Sequence, residues 1–233
     1  MGRLIAFEGI DGSGKGTQSA ELVKRLSARG LRVERLAFPR YEATFFGGLI
    51  GQFLDGKLGD LTTVPPLFTA LLYASDRVES KTSLIDALDA NDVVVLDRYV
   101  ASNVAHQSAR LAGSDRDELI AQIGHVEHEI YALPRPDRTV LLDVPAETAR
   151  TLIAKKAKRV YTAKEADLFE SDLTYQREVR AVYRSLAEAD DSWLLVPTVE
   201  AETQRLRDVA EIADEIETGL ISSINSESPS RMA

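Results

Sequence analysis

Apolar residues in this chain gather into short runs, and the segments between the runs carry helical spacing. The runs are residues 3–7, "RVERLAF" at 32–38, "DVVVLD" at 92–97, "RTVLLDV" at 138–144 and "SWLLVPT" at 192–198. Such continuous runs, the third above all, suit strands of a parallel sheet buried on both faces. After the first run, Leu22, Val23 and Leu26 make an apolar stripe along "TQSAELVKRLSARG", and Gly30 marks the helix end. Helical segments separate the remaining runs, and a final helix is expected from about Ala201. This alternation predicts an α/β fold: a five-stranded parallel sheet with helices on both faces, right-handed crossovers, and a ligand crevice at the carboxyl ends of the strands.

Two stretches interrupt the alternation. Residues 39–91 hold several helical pieces between the second and third strands, and "AKKAKRVYTAKEADLFES" at 154–171 has mixed charge and little apolar periodicity. Insertions of this kind carry substrate contacts or a moving lid. Residues 221–233, ending in "SSINSESPSRMA", are expected to be a disordered tail, which leaves 1–220 as a single domain.

Composition narrows the partners. The 233 residues show no internal repeat and are enough for one well-filled α/β domain. With 28 Lys and Arg against 37 Asp and Glu, the net charge of −9 argues against nucleic acid or an anionic membrane as the main partner. An anion must therefore be caught locally by clustered donors. The lack of Cys removes disulfides, thiolate catalysis and Cys-based zinc sites, and makes the cytoplasm the default compartment. No apolar stretch is long enough for a membrane span, and "MGRLIAFEG" is too short in apolar residues for a signal peptide, so a soluble protein is expected.

The local donors stand in "FEGIDGSGKGTQ" at 7–18. Gly9, Gly12, Gly14 and Lys15 form G-x-x-x-x-G-K between a strand and a helix, where a phosphate-binding loop belongs. Glycines let successive N–H groups converge on phosphate oxygens, helped by the positive end of the following helix, and Lys15 reaches the β and γ phosphates. Gly16 occupies the place where a Ser or Thr hydroxyl normally meets magnesium, and Thr17 is one residue late. The nucleotide contacts predicted here are Gly12, Ser13, Gly14, Lys15, Gly16, Thr17 and Gln18.

Taken alone, "GSGKGTQ" resembles the adenylate kinases, whereas "FEGIDGSGK", with an acid inside the loop, resembles the thymidylate kinases. "FPRY" at 38–41, "LLYASDR" at 71–77 and "LDRYVASN" at 96–103 all look like thymidylate kinase, in that family's order and spacing. The resemblance covers residues 3 to about 198. It implies a P-loop kinase fold and transfer of the γ-phosphate of ATP to dTMP, giving dTDP and ADP for dTTP synthesis, with Mg2+ and a homodimer. A kinase for another nucleoside monophosphate or for a deoxynucleoside is the runner-up. A P-loop regulatory GTPase is a different class, and no Asn-Lys-x-Asp guanine signature supports it.

Candidate acceptor residues follow. Tyr73 and Arg77 lie four apart on a helix, so a ring and a guanidinium point the same way. The ring can stack on a pyrimidine while the fork donates to an edge carbonyl, and the resemblance assigns these roles against thymine. Asp97 and Arg98 sit at a strand end: Arg98 can clamp the acceptor phosphate, and Asp97 can hold a metal's water shell or fix Lys15 and Arg98. Tyr99, Asn103 and His106 share a helical face; the resemblance places Asn103 at the polar edge of thymine and His106 beside the deoxyribose, where many relatives have Tyr. Arg40 and Tyr41 complete the pocket, with Phe38 along base or sugar. The resemblance gives Asp11 to metal or the acceptor's 3′-hydroxyl. Lys155, Lys156, Lys158 and Arg159 are equal candidates for a lid cation that stabilises the transition state, and Asp167 and Glu170 match acidic positions near metal or donor. His125 and His128, beside Glu127 and Glu129, read as polar surface of a helix at about 115–131 that supports a subunit interface.

Overall fold

The computed structural model describes residues 1–59, 63–159, 173–200, 202–203 and 205–226, with side chains described only as far as residue 155 before the second gap and as far as residue 220 at the end. In chain order the elements are β1 (Arg3–Glu8), α1 (Lys15–Ala28), β2 (Val33–Ala37), α2 (Phe45–Leu54), α3 (Pro66–Glu79), α4 (Lys81–Ala90), β3 (Val93–Asp97), α5 (Val100–Ser108), α6 (Gly113–Gly124), β4 (Arg138–Asp143), α7 (Ala146–Arg159), α8 (Leu173–Glu188), β5 (Trp193–Pro197) and α9 (Val209–Ser226). A π-helical segment, His125–Ile130, continues α6.

The five strands form one parallel sheet in the order β2-β3-β1-β4-β5. The apolar run at 93–96 becomes an internal strand buried along its length, while the edge strand β2 has no fully buried residue. Burial on both faces explains the difference. On one face Leu4, Leu96 and Val94 pack with Leu84, Val104 and Ile123 from α4, α5 and α6. On the other, Phe7, Val95 and Val140 pack with Leu22 of α1 and Ile216 of α9.

This topology brings three loops together. Asp97 is level with Phe7 of β1 and with Ala37 of β2. The Arg98 N–H donates to the Phe7 carbonyl and the Phe38 N–H to the Asp97 carbonyl, both at 3.0 Å, so sheet bonding continues one residue past the strands. Because β3 and β4 flank β1, the chain reverses direction here, and a crevice opens at the strand ends. The loop after β1 turns on Gly9, Gly12 and Gly14, at φ 140°, 78° and 93°. A Cβ on Gly12 would stand 2.7 Å from the Ala149 carbonyl oxygen, so α7 can lie this close only over glycine. The Phe38–Pro39 peptide is cis.

The structure shifts three boundaries. The last helix begins at Val209 rather than near Ala201, because Val199 bridges Leu206 antiparallel and Arg205 pairs with Glu200 and Glu211. Those contacts stand where the helix was expected to begin. At its other end α9 runs to Ser226, so 221–226, expected in the disordered tail, are helical. Residues 154–159 of the expected lid finish α7, and 160–171 lie outside the described residues. Among the described residues no helix is long and apolar enough to cross a membrane.

Candidate active site

Two clefts open at the strand ends. One is lined by the loop and first turn of α1, from Asp11 to Gln18, with Asp97, Arg98, and Leu152 and Ile153 of α7. The other is lined by Phe38, Tyr41, Tyr73, Arg77, Asn103 and His106, again with Asp11 and Arg98. Asp11 and Arg98 therefore stand at the junction. Every acceptor residue expected from the sequence lines the second cleft except Arg40, whose backbone N–H donates to Asp76 at 3.0 Å.

In the first cleft Lys15 opens α1, and its Nζ donates to the carbonyls of Gly9 at 2.9 Å and Ile10 at 2.8 Å and to the Ser13 hydroxyl at 3.3 Å. It is buried. Burial first, and then the positive charge of Arg98, push its ammonium down to about 7, against the pull of Asp11, Asp97 and Glu8. A phosphate anion on this loop would restore the charge. Asp97 accepts from Arg35 at 2.7 Å, and Arg35 Nε donates to Ser19 at 2.8 Å, so the carboxylate is braced from the edge strand. Gln18, expected to touch nucleotide, gives its Nε2 to the Val209 carbonyl at 3.0 Å and so seats α9 on α1, while still lining the cleft. Lys155 is exposed on α7; Asp167, Glu170 and the side chains of Lys156, Lys158 and Arg159 lie outside the described residues.

At the junction Arg98 has φ 69°, a left-handed conformation that few side-chain-bearing residues adopt. Its Nη2 donates to Asp11, and its Nη1 to Ser102 at 3.0 Å and the Gly9 carbonyl at 3.3 Å. Burial alone would raise the Asp11 carboxyl, but the charges of Arg98 and Lys15 and the hydrogen bond from Arg98 hold it well below the usual carboxylate range. Burial and Arg98 push His106 down to about 3, so the imidazole is neutral. Its Nε2 faces Arg98 at 3.5 Å, its Nδ1 lies 3.2 Å from the Tyr175 hydroxyl, and that hydroxyl donates to the His106 carbonyl at 2.8 Å. A ring protonated on Nδ1 satisfies all three contacts.

At the far end of the second cleft Tyr73 and Arg77 do share a face of α3. Arg77, however, is buried against Glu127, to which its Nε donates at 2.7 Å and its Nη2 donates as well. Asn103 joins them through Nδ2 to Glu127 at 2.9 Å. The polar-surface reading holds for His125 and Glu129, which are exposed and paired at 2.7 Å, and fails for Glu127, which is fully buried. Phe38 and Tyr99 are buried too, with tilted rings 5.9 Å apart.

Sequence reasoning also missed Glu8, a carboxylate at the end of an apolar strand. It accepts from the backbone N–H groups of Tyr99 at 2.8 Å and Ser102 at 3.2 Å, and from the hydroxyls of Ser102 at 2.6 Å and Tyr183 at 3.0 Å. Glu8 thus caps the N-terminus of α5, the helix that carries Asn103 and His106, beside Arg98. The signal was an acid where the strand pattern calls for an apolar residue. Glu8→Ala would leave two buried N–H groups unpaired and is expected to destabilise the fold by about 3 kcal/mol, lowering the calorimetric melting midpoint by about 10 °C.

Comparisons with known proteins give the family and the fold. The family model for thymidylate kinase matches residues 7–210. The chain is 37% identical over 195 residues to thymidylate kinase of Mycobacterium tuberculosis, covering 83% of this chain and 90% of that one. It is 35% identical over 219 residues to thymidylate kinase of Leifsonia xyli subsp. xyli, covering 92% of each. A solved structure of thymidylate kinase from Candida albicans superposes with a TM-score of 0.72 at 22% identity, over 97% of this chain and 94% of that one, and so supports the fold. With the family model matched over most of its length and relatives 35–37% identical across most of both chains, this chain belongs to the thymidylate kinase family.

Proposed function

We propose that this chain transfers the γ-phosphate of ATP to dTMP, giving dTDP and ADP on the way to dTTP. The observation that carries the reading is that the phosphate-loop cleft and the second cleft meet at Asp11 and Arg98. A donor phosphate on the loop and an acceptor phosphate on Arg98 would then face each other. The attacking oxygen of dTMP is already ionised, so no general base is needed: it forms a bond to the γ-phosphorus while the bond to the β-phosphate oxygen breaks and ADP leaves with the electron pair. Lys15 and the loop N–H groups hold the donor, Arg98 holds the acceptor, and Asp11 fixes Arg98. Tyr73, Arg77 and Asn103 take the base, with Phe38, Tyr41 and His106 beside base and sugar.

Magnesium fits the donor cleft. Mg2+ takes one or two carboxylates along with phosphate oxygens and waters; Asp97 lines that cleft, partly exposed, with its Oδ2 accepting from Arg35. Gly16 supports this arrangement, since a Cβ there would lie 3.3 Å from Asp97 and crowd it. Asp97 would hold the ion through water, and the ion would neutralise charge on the donor oxygens; Asp11 is committed to Arg98. A homodimer belongs to the same reading, supported by the exposed Phe68 and Ile130 on neighbouring elements, as does the cytoplasm. The remaining cation would come from Lys155, Lys156, Lys158 or Arg159, all at the end of α7.

The test is ADP release with ATP and magnesium, comparing dTMP, dUMP, ribose TMP, AMP, GMP and thymidine. Turnover is expected to be highest with dTMP and near background with AMP and thymidine. Preference for AMP would overturn the acceptor assignment.

A further inference from the structure

Glu127 has no role in the phosphoryl transfer just described, yet it is fully buried next to the base end of the acceptor cleft. It comes from the π-helical segment His125–Ile130, a rare geometry that tends to mark functional sites. Within this segment Glu127 faces inward while His125 and Glu129 stay exposed.

Its partners define an orientation. Asn103 Nδ2 donates to Glu127 at 2.9 Å and to the Ala70 carbonyl at 3.0 Å, so both amide hydrogens are used. Asn103 Oδ1 is buried with no partner among the described residues, and Asn103 lines the cleft. Turning the amide over would set Oδ1 against two acceptors, Glu127 and Ala70. Such a flip is strongly disfavoured. Glu127 also takes Nε and Nη2 of Arg77, leaving Nη1 for a ligand carbonyl. The cleft therefore presents an acceptor on Asn103 and a donor on Arg77.

We propose that Glu127 is a positioning residue for base selection, locking the Asn103 amide and the Arg77 guanidinium so that the site accepts a ring imide and rejects cytosine. This rests on the dTMP reading above. Thymine and uracil offer N3–H beside a carbonyl, which complements the pair; cytosine offers a bare N3 beside an amino group, which opposes it at both points. A site whose buried acceptor is left unpaired discriminates strongly.

The test measures kcat and KM for dTMP, dUMP and dCMP in the wild-type protein and in Glu127→Gln, with melting midpoints alongside. Glu127 Oε1 receives both Asn103 Nδ2 and Arg77 Nη2, and Oε2 receives Arg77 Nε, so an amide at 127 sets an NH2 against the guanidinium in either orientation and displaces it from the base, and in one orientation it unseats the Asn103 amide as well. The preference for dTMP over dCMP is expected to fall tenfold or more, chiefly through KM. A purely structural role would lower the midpoint and leave the ratio intact, and a folded variant with the wild-type ratio overturns the proposal whatever its midpoint. Should Glu127→Gln not fold, the wild-type protein decides by NMR: the Asn103 side-chain NH2 protons are expected to stay protected from exchange and far from bound dTMP. Free exchange, or a contact between those protons and the base, overturns it. If wild-type protein does not turn over dTMP at all, the functional reading falls and takes this inference with it; normal turnover with an unchanged ratio removes the inference alone.

Discussion

Arg98→Ala is expected to lower kcat/KM with dTMP about a thousandfold, corresponding to about 4 kcal/mol of lost transition-state stabilisation. Arg98→Ala would lose two charge-assisted hydrogen bonds to phosphate, each contributing about 1.5–3 kcal/mol. Arg98 lines both clefts, and its guanidinium is held by Asp11, Ser102 and the Gly9 carbonyl before any substrate arrives. Preorganisation of that kind is lost entirely in the Ala variant, and Asp11 is left as an uncompensated carboxylate beside incoming phosphates. Arg98→Lys keeps a charge but neither the fork nor its reach, so its loss should be intermediate. Steady-state kinetics with both substrates varied would measure this. A loss under tenfold for Arg98→Ala would remove Arg98 from phosphate transfer.

Lys15→Met is expected to reduce kcat on the order of a thousandfold, as removal of a preorganised charge at the transferring group does. The pH dependence of the wild-type protein supplies an independent check. Lys15 titrates near 7 because burial and Arg98 oppose its charge, and a bound phosphate would raise that value. Binding that raises a pKa is complete below the unbound value and weakens as pH climbs from there toward the bound one. ATP affinity should therefore decline between pH 7.5 and 9, approaching tenfold per unit, with proton uptake on binding. Calorimetry in buffers of different ionisation heat reads the uptake directly. A flat affinity across that range, or a decline that persists in Lys15→Met, would rule Lys15 out as its source.

Much of the lining of the second cleft was legible because its residues sit in short local segments. Tyr73 and Arg77 lie one helical turn apart, Asn103 and His106 likewise, and Asp97 and Arg98 end an apolar strand, so spacing put each pair together, while the family resemblance suggested what Asn103 and His106 do. What it did not show was the set of partners. Arg77 looked like a free donor and proved to be bound to Glu127, 50 residues away. Arg40 stood in the right segment but does not line the cleft. α9 starts later than expected because nothing local in the sequence shows the bridge between Val199 and Leu206.

The sequence by itself determined the alternation of strands and helices, the phosphate loop and the family. Apolar period, glycine placement and a loop motif are local properties, set by backbone sterics and by what a two-sided parallel sheet must bury. Tertiary structure alone decided that Asp11 and Arg98 join two clefts, that Glu8 caps α5, and that Glu127 holds Arg77 and Asn103. A glutamate in the sequence reads the same whether it will face water or three donors; only packing removes the water, and only then does its charge have to be met by particular partners.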